Sequence, residues 1–385
     1  MKKIIIKIKR FILYLLLLLF LLIAFTYYTT DRFEQFGAKV KGERLVKVKK
    51  SPHYNESQFV NINKTNLNWT FVEKIQVFYE RFFGNYIGKP KKDLPIINLD
   101  SDSFAKENED LSVTWLGHAT VLIEIENVRI LTDPIWSERT SFSKHIGPKR
   151  FLQSPLNISE LPEIDAVIIS HDHFDHLDLN TIKELKDKGV NFYIPLGVGA
   201  HLEKWGVSKE KIHEYVWWDE IELPNSDIKL ILTPARHFSG RSIIYGTNPT
   251  QWASWVVIGK TQKVYYSGDT GYMSIYNEVG NKYGPFDITL MAIGAYDDKW
   301  ADIHLTPQEA VKAHLDLNGQ LLIPVHWGTF NLALHDWFEP AEQLVEEATR
   351  NDIRYFIPKA GQTISISDSL INNFWWRESM PEKRQ

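Results

Sequence analysis

His171-Asp172-His173-Phe174-Asp175-His176-Leu177-Asp178 sets three imidazoles and a carboxylate in an H-x-H-x-D-H pattern. The apolar run Ala166-Val167-Ile168-Ile169 leads straight into it. That run is short, β-branched and uncharged, so it reads as a buried strand. The histidines then stand where the strand ends and the chain turns. Neutral imidazole and carboxylate suit Zn²⁺ and related divalent metals. Four such groups exceed what one metal with an open position needs, so the spacing points to two metals sharing one site.

Working outward, three more strand-like runs end in the same way. Ile228 to Leu232 leads to Thr233-Pro234-Ala235-Arg236-His237, Lys263 to Tyr266 leads to Ser267-Gly268-Asp269, and Gln320 to Val325 leads to His326-Trp327-Gly328. Any one of His237, Asp269 or His326 alone reads as an ordinary loop residue. Their shared position at strand ends makes all three candidates for the site opened by His171, His173, Asp175 and His176.

With these motifs stand Trp115-Leu116-Gly117-His118-Ala119-Thr120, Asp133-Pro134-Ile135-Trp136-Ser137-Glu138-Arg139, Gly147-Pro148-Lys149-Arg150-Phe151, Gly268-Asp269-Thr270-Gly271-Tyr272 and His326-Trp327-Gly328-Thr329-Phe330. Together they resemble the metallo-β-lactamase-fold hydrolases. Within that superfamily they are similar to the N-acylphosphatidylethanolamine-hydrolysing phospholipase D branch, over residues 111–362. The resemblance implies an α/β fold, a four-layer αββα sandwich, where the pattern of elements alone gives only a mixed α/β domain.

The resemblance also implies a ligand set. One metal takes His171, His173 and His237, the other takes Asp175, His176 and His326, and Asp269 bridges them together with a water. Two Zn²⁺ per chain are expected, other divalent metals being able to substitute. Two cations sharing a water make hydroxide available near neutral pH and neutralise charge on a phosphodiester. Asp175 and Asp269 are thereby catalytic, and the products are phosphatidic acid and an N-acylethanolamine. His304, in Asp302-Ile303-His304-Leu305-Thr306-Pro307, matches a histidine near the substrate and is assigned hydrogen bonding or general-acid work. His118 reads as a residue that supports a ligand or its turn. Asp172, Phe174 and Phe238 depart from the branch's usual residues, which touches the detail of the pocket rather than the metal ligands.

Fold does not fix substrate. Another hydrolase of this fold, such as a lactonase, a different phosphodiesterase or a nuclease, is the alternative, and a binding module without catalysis is a third reading. A complete ligand set weighs against the module. The net charge of −4 provides no basic field for nucleic acid. The expected partners are a phospholipid substrate and a membrane, with a homo-oligomer left open.

Lys2, Lys3, Lys7, Lys9 and Arg10 precede an apolar run from Phe11 to Phe25, extended by Thr26-Tyr27-Tyr28. This predicts an N-terminal membrane anchor with its amino end in the cytoplasm and the catalytic body on the extracytoplasmic side. A cleaved signal peptide is the rival, but the run's exit has no small-residue cleavage site. The chain has no cysteine, which excludes disulfides, thiolate ligands and a cysteine nucleophile.

The organisation expected is an anchor over residues 1–30, an arm packing on the body over 31–110, the catalytic domain over 111–362 and a tail over 363–385. In the arm, Lys39, Lys41, Arg44, Lys47, Lys49 and Lys50 suit either solvent or anionic head groups. Phe71 to Phe83 has apolar positions at helical spacing, a stripe expected to pack on its own domain rather than enter lipid. Trp217-Trp218 and Tyr296-Asp297-Asp298-Lys299-Trp300 are candidates to line an acyl groove.

Overall fold

The described chain runs α1 (Lys2–Thr30), α2 (Gly42–Lys50), β1 (Tyr54–Asn55), β2 (Gln58–Phe59), α3 (Phe71–Phe83), β3 (Ser112–Gly117), β4 (Thr120–Ile125), β5 (Val128–Thr132), β6 (Ala166–Ile168), α4 (Leu179–Asp187), β7 (Asn191–Pro195), α5 (Gly199–Lys204), β8 (Ile212–Tyr215), β9 (Glu220–Glu222), β10 (Lys229–Thr233), β11 (Ser254–Ile258), β12 (Lys263–Tyr266), α6 (Ile275–Tyr283), β13 (Phe286–Ala292), α7 (Pro307–Asp316), β14 (Gly319–Val325), α8 (Glu339–Arg350) and β15 (Thr363–Ser365). This computed structural model describes residues 2–30, 33–66, 69–104, 110–242 and 245–382, with the side chains of α1 described at 6–22, 24 and 25.

Two mixed sheets form. One has the order β15-β3-β4-β5-β6-β7-β8 and the other β14-β13-β12-β11-β10-β9. Strands β5 to β8 run parallel, as do β12 to β14. Every residue of β6 is buried, as its position between two parallel neighbours requires. Alternation along β4 sorts its side chains. Val121, Ile123 and Ile125 join a core shared with Leu230, Val256 and Leu290 of the other sheet. Leu122 turns the other way and packs with Leu179, Ile182 and Leu185 of α4. Helices α7 and α8 pack together, α7 also contacting β13 and β14 on the second sheet.

The two sheets are also tied by polar contacts near their strand ends. Trp255 Nε1 donates to Ile169 O at 2.9 Å, and Ala253 N donates to Ser170 O at 2.9 Å. Because β10 and β12 both pair antiparallel with β11, they point the same way. Their carboxyl ends, with those of β13 and β14, therefore share one edge. Loops outside carboxyl strand ends are where open α/β sheets place ligands.

The arm packs closely on this body. Arg44 pairs with Glu203 at 3.0 Å and Glu214 at 2.6 Å, so this cation is committed to protein rather than to head groups. Trp205 Nε1 donates to Glu34 O at 2.7 Å. Residues 363–365 extend the first sheet beside β3, and Trp375 and Trp376 are buried in the shared core.

Two expectations are corrected. Among the described residues no helix is long and apolar enough to cross a membrane. Lys7, Lys9 and Arg10 stand in the first turns of α1. The apolar run Phe11 to Phe25 is itself shorter than the roughly 20 residues a span requires. Lys2, Lys3 and Thr26 to Tyr28 lie outside the described side chains. The membrane anchor and the extracytoplasmic placement drawn from it are therefore unsupported. The second correction concerns α3, which forms as expected behind a Thr70–Glu73 capping box. It is not packed away, since none of its residues is buried. Arg81, donating to Asn331 and Ala333 O, and Glu80, paired with Lys299, hold only one side to the body.

Candidate metal centre

Strand ends deliver every predicted ligand to one place. His171 and His173 follow β6, His237 follows β10, Asp269 follows β12 and His326 follows β14. Three of the groups, His171, His173 and His237, bring ligand atoms within 4.8 Å of one another, as do His118, Asp175, His176 and His326. Asp269 lies between these sets. Its Oδ1 stands 3.1 Å from His326 Nε2. Its Oδ2 stands 3.2 Å from His176 Nε2, 3.8 Å from His237 Nε2 and 4.0 Å from His171 Nε2.

Neighbouring polar groups orient the rings. His237 Nδ1 donates to Ile303 O at 2.9 Å, leaving Nε2 to face the site. His176 Nδ1 lies 2.6 Å from Asp133 Oδ2, so its Nε2 also faces inward. Gly268 turns the chain into Asp269 at φ +54, and a Cβ there would meet Ser170 Cβ at 2.5 Å. Glycine is therefore what lets the β12 end approach the loop that carries His171. Non-glycine residues His118, Asp133 and His326 also take positive φ, backbone strain of a kind that gathers at functional sites.

The electrostatics call for a cation. Burial pushes Asp269 up, but His176, His326 and His304 outweigh it and hold the carboxyl well below its usual range. Burial acts likewise on Asp175, where His176, His118 and His326 prevail and keep it ionised. His171 is driven well down by burial and by His176, His173 and His237. His237 is driven well down by burial, against Asp269. Buried carboxylates thus stand ionised beside His171 and His237, which are neutral, and beside His176, which burial lowers but Asp269, Asp175 and Asp133 together raise well above its ordinary range. His176 Nε2, Asp269 Oδ1 and His304 Nδ1 are buried and lack a hydrogen-bond partner. Leaving such groups unsatisfied is costly, and a divalent metal satisfies them. The donor set fits a metal of the zinc type.

Asp133 is the site residue that reading the sequence missed. It accepts from Ser170 N at 2.6 Å, Ser170 Oγ at 2.5 Å and Tyr266 Oη at 2.5 Å, besides contacting His176. The signal was present, since Asp133 ends β5 as the ligands end theirs. Asp133→Ala strands four buried donors, His176 Nδ1 among them, and is expected to destabilise the fold by about 3 kcal/mol, read from urea unfolding. A loss under about 1 kcal/mol would show that the hub is dispensable. Asn61 had no comparable signal. It brackets a ligand's backbone, donating to His237 O at 2.8 Å and accepting from His237 N at 3.0 Å.

His118 Nε2 lies 3.1 Å from Asp175 Oδ2. Its backbone is pinned, N donating to Thr329 Oγ1 and O accepting from His326 N and Trp115 Nε1. His304 Nδ1 stands 3.8 Å from Asp269 Oδ2. A cavity of about 800 Å³ opens over the cluster. His173, Asp175, Asp269, His304 and His326 form its floor; Trp69, Val77, Phe238, Trp300, Ile303 and Leu334 form its walls, with Lys74 and Arg81 also lining it. Of the aromatic groove candidates only Trp300 lines it. Trp217 instead packs on Trp252 and donates to its carbonyl, and Tyr296 donates to Glu339.

Residues 128–327 match the family described as Beta-lactamase superfamily domain. An uncharacterised protein of Mycobacterium tuberculosis is 39% identical over 346 residues, covering 89% of this chain and 91% of its own. N-acyl-phosphatidylethanolamine-hydrolyzing phospholipase D 1 of Caenorhabditis elegans is 35% identical over 264 residues, covering 66% of this chain and 74% of its own. Among solved structures, Igni18, a metallo hydrolase of Ignicoccus hospitalis, aligns with TM-score 0.51 at 20% identity, over 66% of this chain and 97% of that one. The fold implies a divalent metal, and the chain belongs to the metallo-β-lactamase-fold hydrolases, among relatives that include N-acylphosphatidylethanolamine-hydrolysing phospholipases D.

Proposed function

We propose that the protein is a dinuclear zinc phosphodiesterase of phospholipase D type, converting N-acylphosphatidylethanolamine to phosphatidic acid and an N-acylethanolamine. The observation that carries this reading is a single cavity with a floor of metal-type donors, apolar walls and two cations, Lys74 and Arg81. Such a lining suits a substrate that is at once anionic and heavily acylated. The name of the C. elegans relative supports the same substrate.

In this reading His171, His173 and His237 hold one metal, Asp175, His176 and His326 hold the other, and Asp269 joins them. When bound, the cations supply an activated water and neutralise charge on the phosphate. Asp175 and Asp269 orient the water. Water oxygen adds to phosphorus, the bond from phosphorus to the ethanolamide oxygen breaks, and that oxygen takes up a proton. His304 lies on the cavity floor, where its ring N–H would donate a hydrogen bond to the reacting phosphate. A phospholipid surface is the partner this substrate implies.

Mass spectrometry of products formed from N-acylphosphatidylethanolamine in heavy-oxygen water tests the reading. Phosphatidic acid carrying the heavy oxygen, with unlabelled N-acylethanolamine, is the expected result. Release of a free fatty acid alone, or no reaction by metal-loaded protein, would overturn it.

A further inference from the structure

We propose that α3 seats the mouth of the metal cavity on a phospholipid leaflet, an inference that rests on the phospholipid substrate proposed above. The outward face of this helix carries Phe71, Ile75, Phe78, Tyr79, Phe82 and Phe83, each 51–77% exposed. Phe78 and Phe82 pack ring to ring at 4.7 Å, and Tyr79 and Phe83 at 5.1 Å. Together they form an exposed, largely aromatic ridge, of a kind that a soluble surface seldom leaves open.

The opposite face of the same helix belongs to the cavity. Lys74, Val77 and Arg81 line it beside His173 and His304. Trp69, just before the helix, packs against Trp300 with ring centroids 5.5 Å apart and continues the apolar wall. An acyl chain leaving a leaflet at the ridge thus reaches a wall of Val77, Trp69, Trp300, Phe238 and Leu334, with Lys74 and Arg81 beside it.

Charge selects the occupant. Both acidic residues of α3 are engaged by the protein. Glu73 closes the capping box, accepting from Thr70 N at 2.7 Å, and Glu80 pairs with Lys299 at 2.8 Å. Lys74 makes no ion pair among the described residues, though it lines the cavity. Aromatic residues on one side and an unneutralised cation at the rim match acyl chains below and phosphates above, as in helices that lie in the membrane interface. The contact is peripheral, made by a helix lying along the surface.

The absence of cysteine allows a local test on the full chain. Phe78→Cys and Phe82→Cys each carry a polarity-sensitive dye, and Glu346→Cys on α8 serves as control. Vesicles of phosphatidylcholine containing phosphatidylglycerol should shift emission to the blue at positions 78 and 82. Brominated acyl chains should quench both, and position 346 should not respond. Each dye reads its own residue, so lipid contact elsewhere does not contribute. No shift at saturating lipid would overturn the proposal. So would a shift without lipid that grows with protein concentration, which would assign the ridge to a second copy of the chain.

Phe78→Asp with Phe82→Asp supplies the functional arm. Turnover of vesicle-borne N-acylphosphatidylethanolamine should fall at least about tenfold, the scale set by burying two phenylalanine side chains. Turnover of soluble bis(nitrophenyl) phosphate should stay unchanged. Undiminished vesicle turnover would overturn the proposal. Insertion into vesicles without hydrolysis of any phospholipid would uphold the docking and overturn the phospholipase reading instead.

Discussion

Asp269→Ala is expected to strip the protein of metal and to lower turnover by at least about 10³-fold, the scale of losing preorganised charge stabilisation together with the activated water. The reason is positional. Among the described residues, Asp269 is the only carboxylate with one oxygen facing His326 and the other facing His176, His237 and His171. Removing it takes a negative charge from both halves of the cluster at once. His173→Ala should act more locally. It removes one imidazole whose Nδ1 lies 2.8 Å from His171 Nε2 and 3.2 Å from His237 Nε2. It should therefore lower the metal-to-protein ratio by about half while also abolishing turnover. Elemental analysis of dialysed protein gives the ratio, and unfolding curves of the metal-free variants check that the fold survives. Full turnover by wild-type protein after exhaustive chelation would end the metal mechanism, and a ratio of one in active wild type would end the dinuclear form of it.

Much of this centre was legible because its information is local. Strands β5, β6, β10, β12 and β14 are short apolar runs, and each stops at Asp or His, so the elements and their cargo lie within a few residues of each other. That the ends meet depends on pairing the motifs did not reveal, β5 with β6 and β12 with β13 and β14 in parallel, and β10 aligned with β12 through antiparallel β11. What was not legible depends on distant partners. Strand β13 sits between β12 and β14 with no polar marker of its own. The pairing of residues 363–365 with β3, and the burial of Trp375 and Trp376 beside Trp115 and Trp327, are set by partners far along the chain. The same holds for Asn61, a loop amide that matters because it meets His237 across the fold. The stripe on α3 shows the opposite failure. Helical periodicity correctly gave the helix, but periodicity cannot say whether an apolar face meets protein or is left outside.

His304→Ala is expected to lower kcat by about 10²-fold, the scale of losing one preorganised hydrogen-bond donor, with metal content unchanged. His304 lines the cavity floor, and its Nδ1 is 3.8 Å from Asp269 Oδ2, beyond hydrogen-bond length. Burial, opposed by Asp269, pushes the imidazole down to about 4. At neutral pH the ring is then neutral, and only on the order of 10⁻³ of molecules hold the extra proton that general-acid work requires. A neutral ring can still donate one N–H to a phosphate oxygen. The two roles separate on substrates that differ in leaving group. A hydrogen bond to the phosphate is needed whatever departs, so the loss should be equal for N-acylphosphatidylethanolamine and for a nitrophenyl phosphodiester. Proton donation matters only when the leaving oxygen is basic, so a much smaller loss on the nitrophenyl substrate would return His304 to the role of general acid. His304→Gln sharpens the distinction. It keeps a donor but cannot carry a proton, and it should restore part of the activity on both substrates if the N–H is what counts.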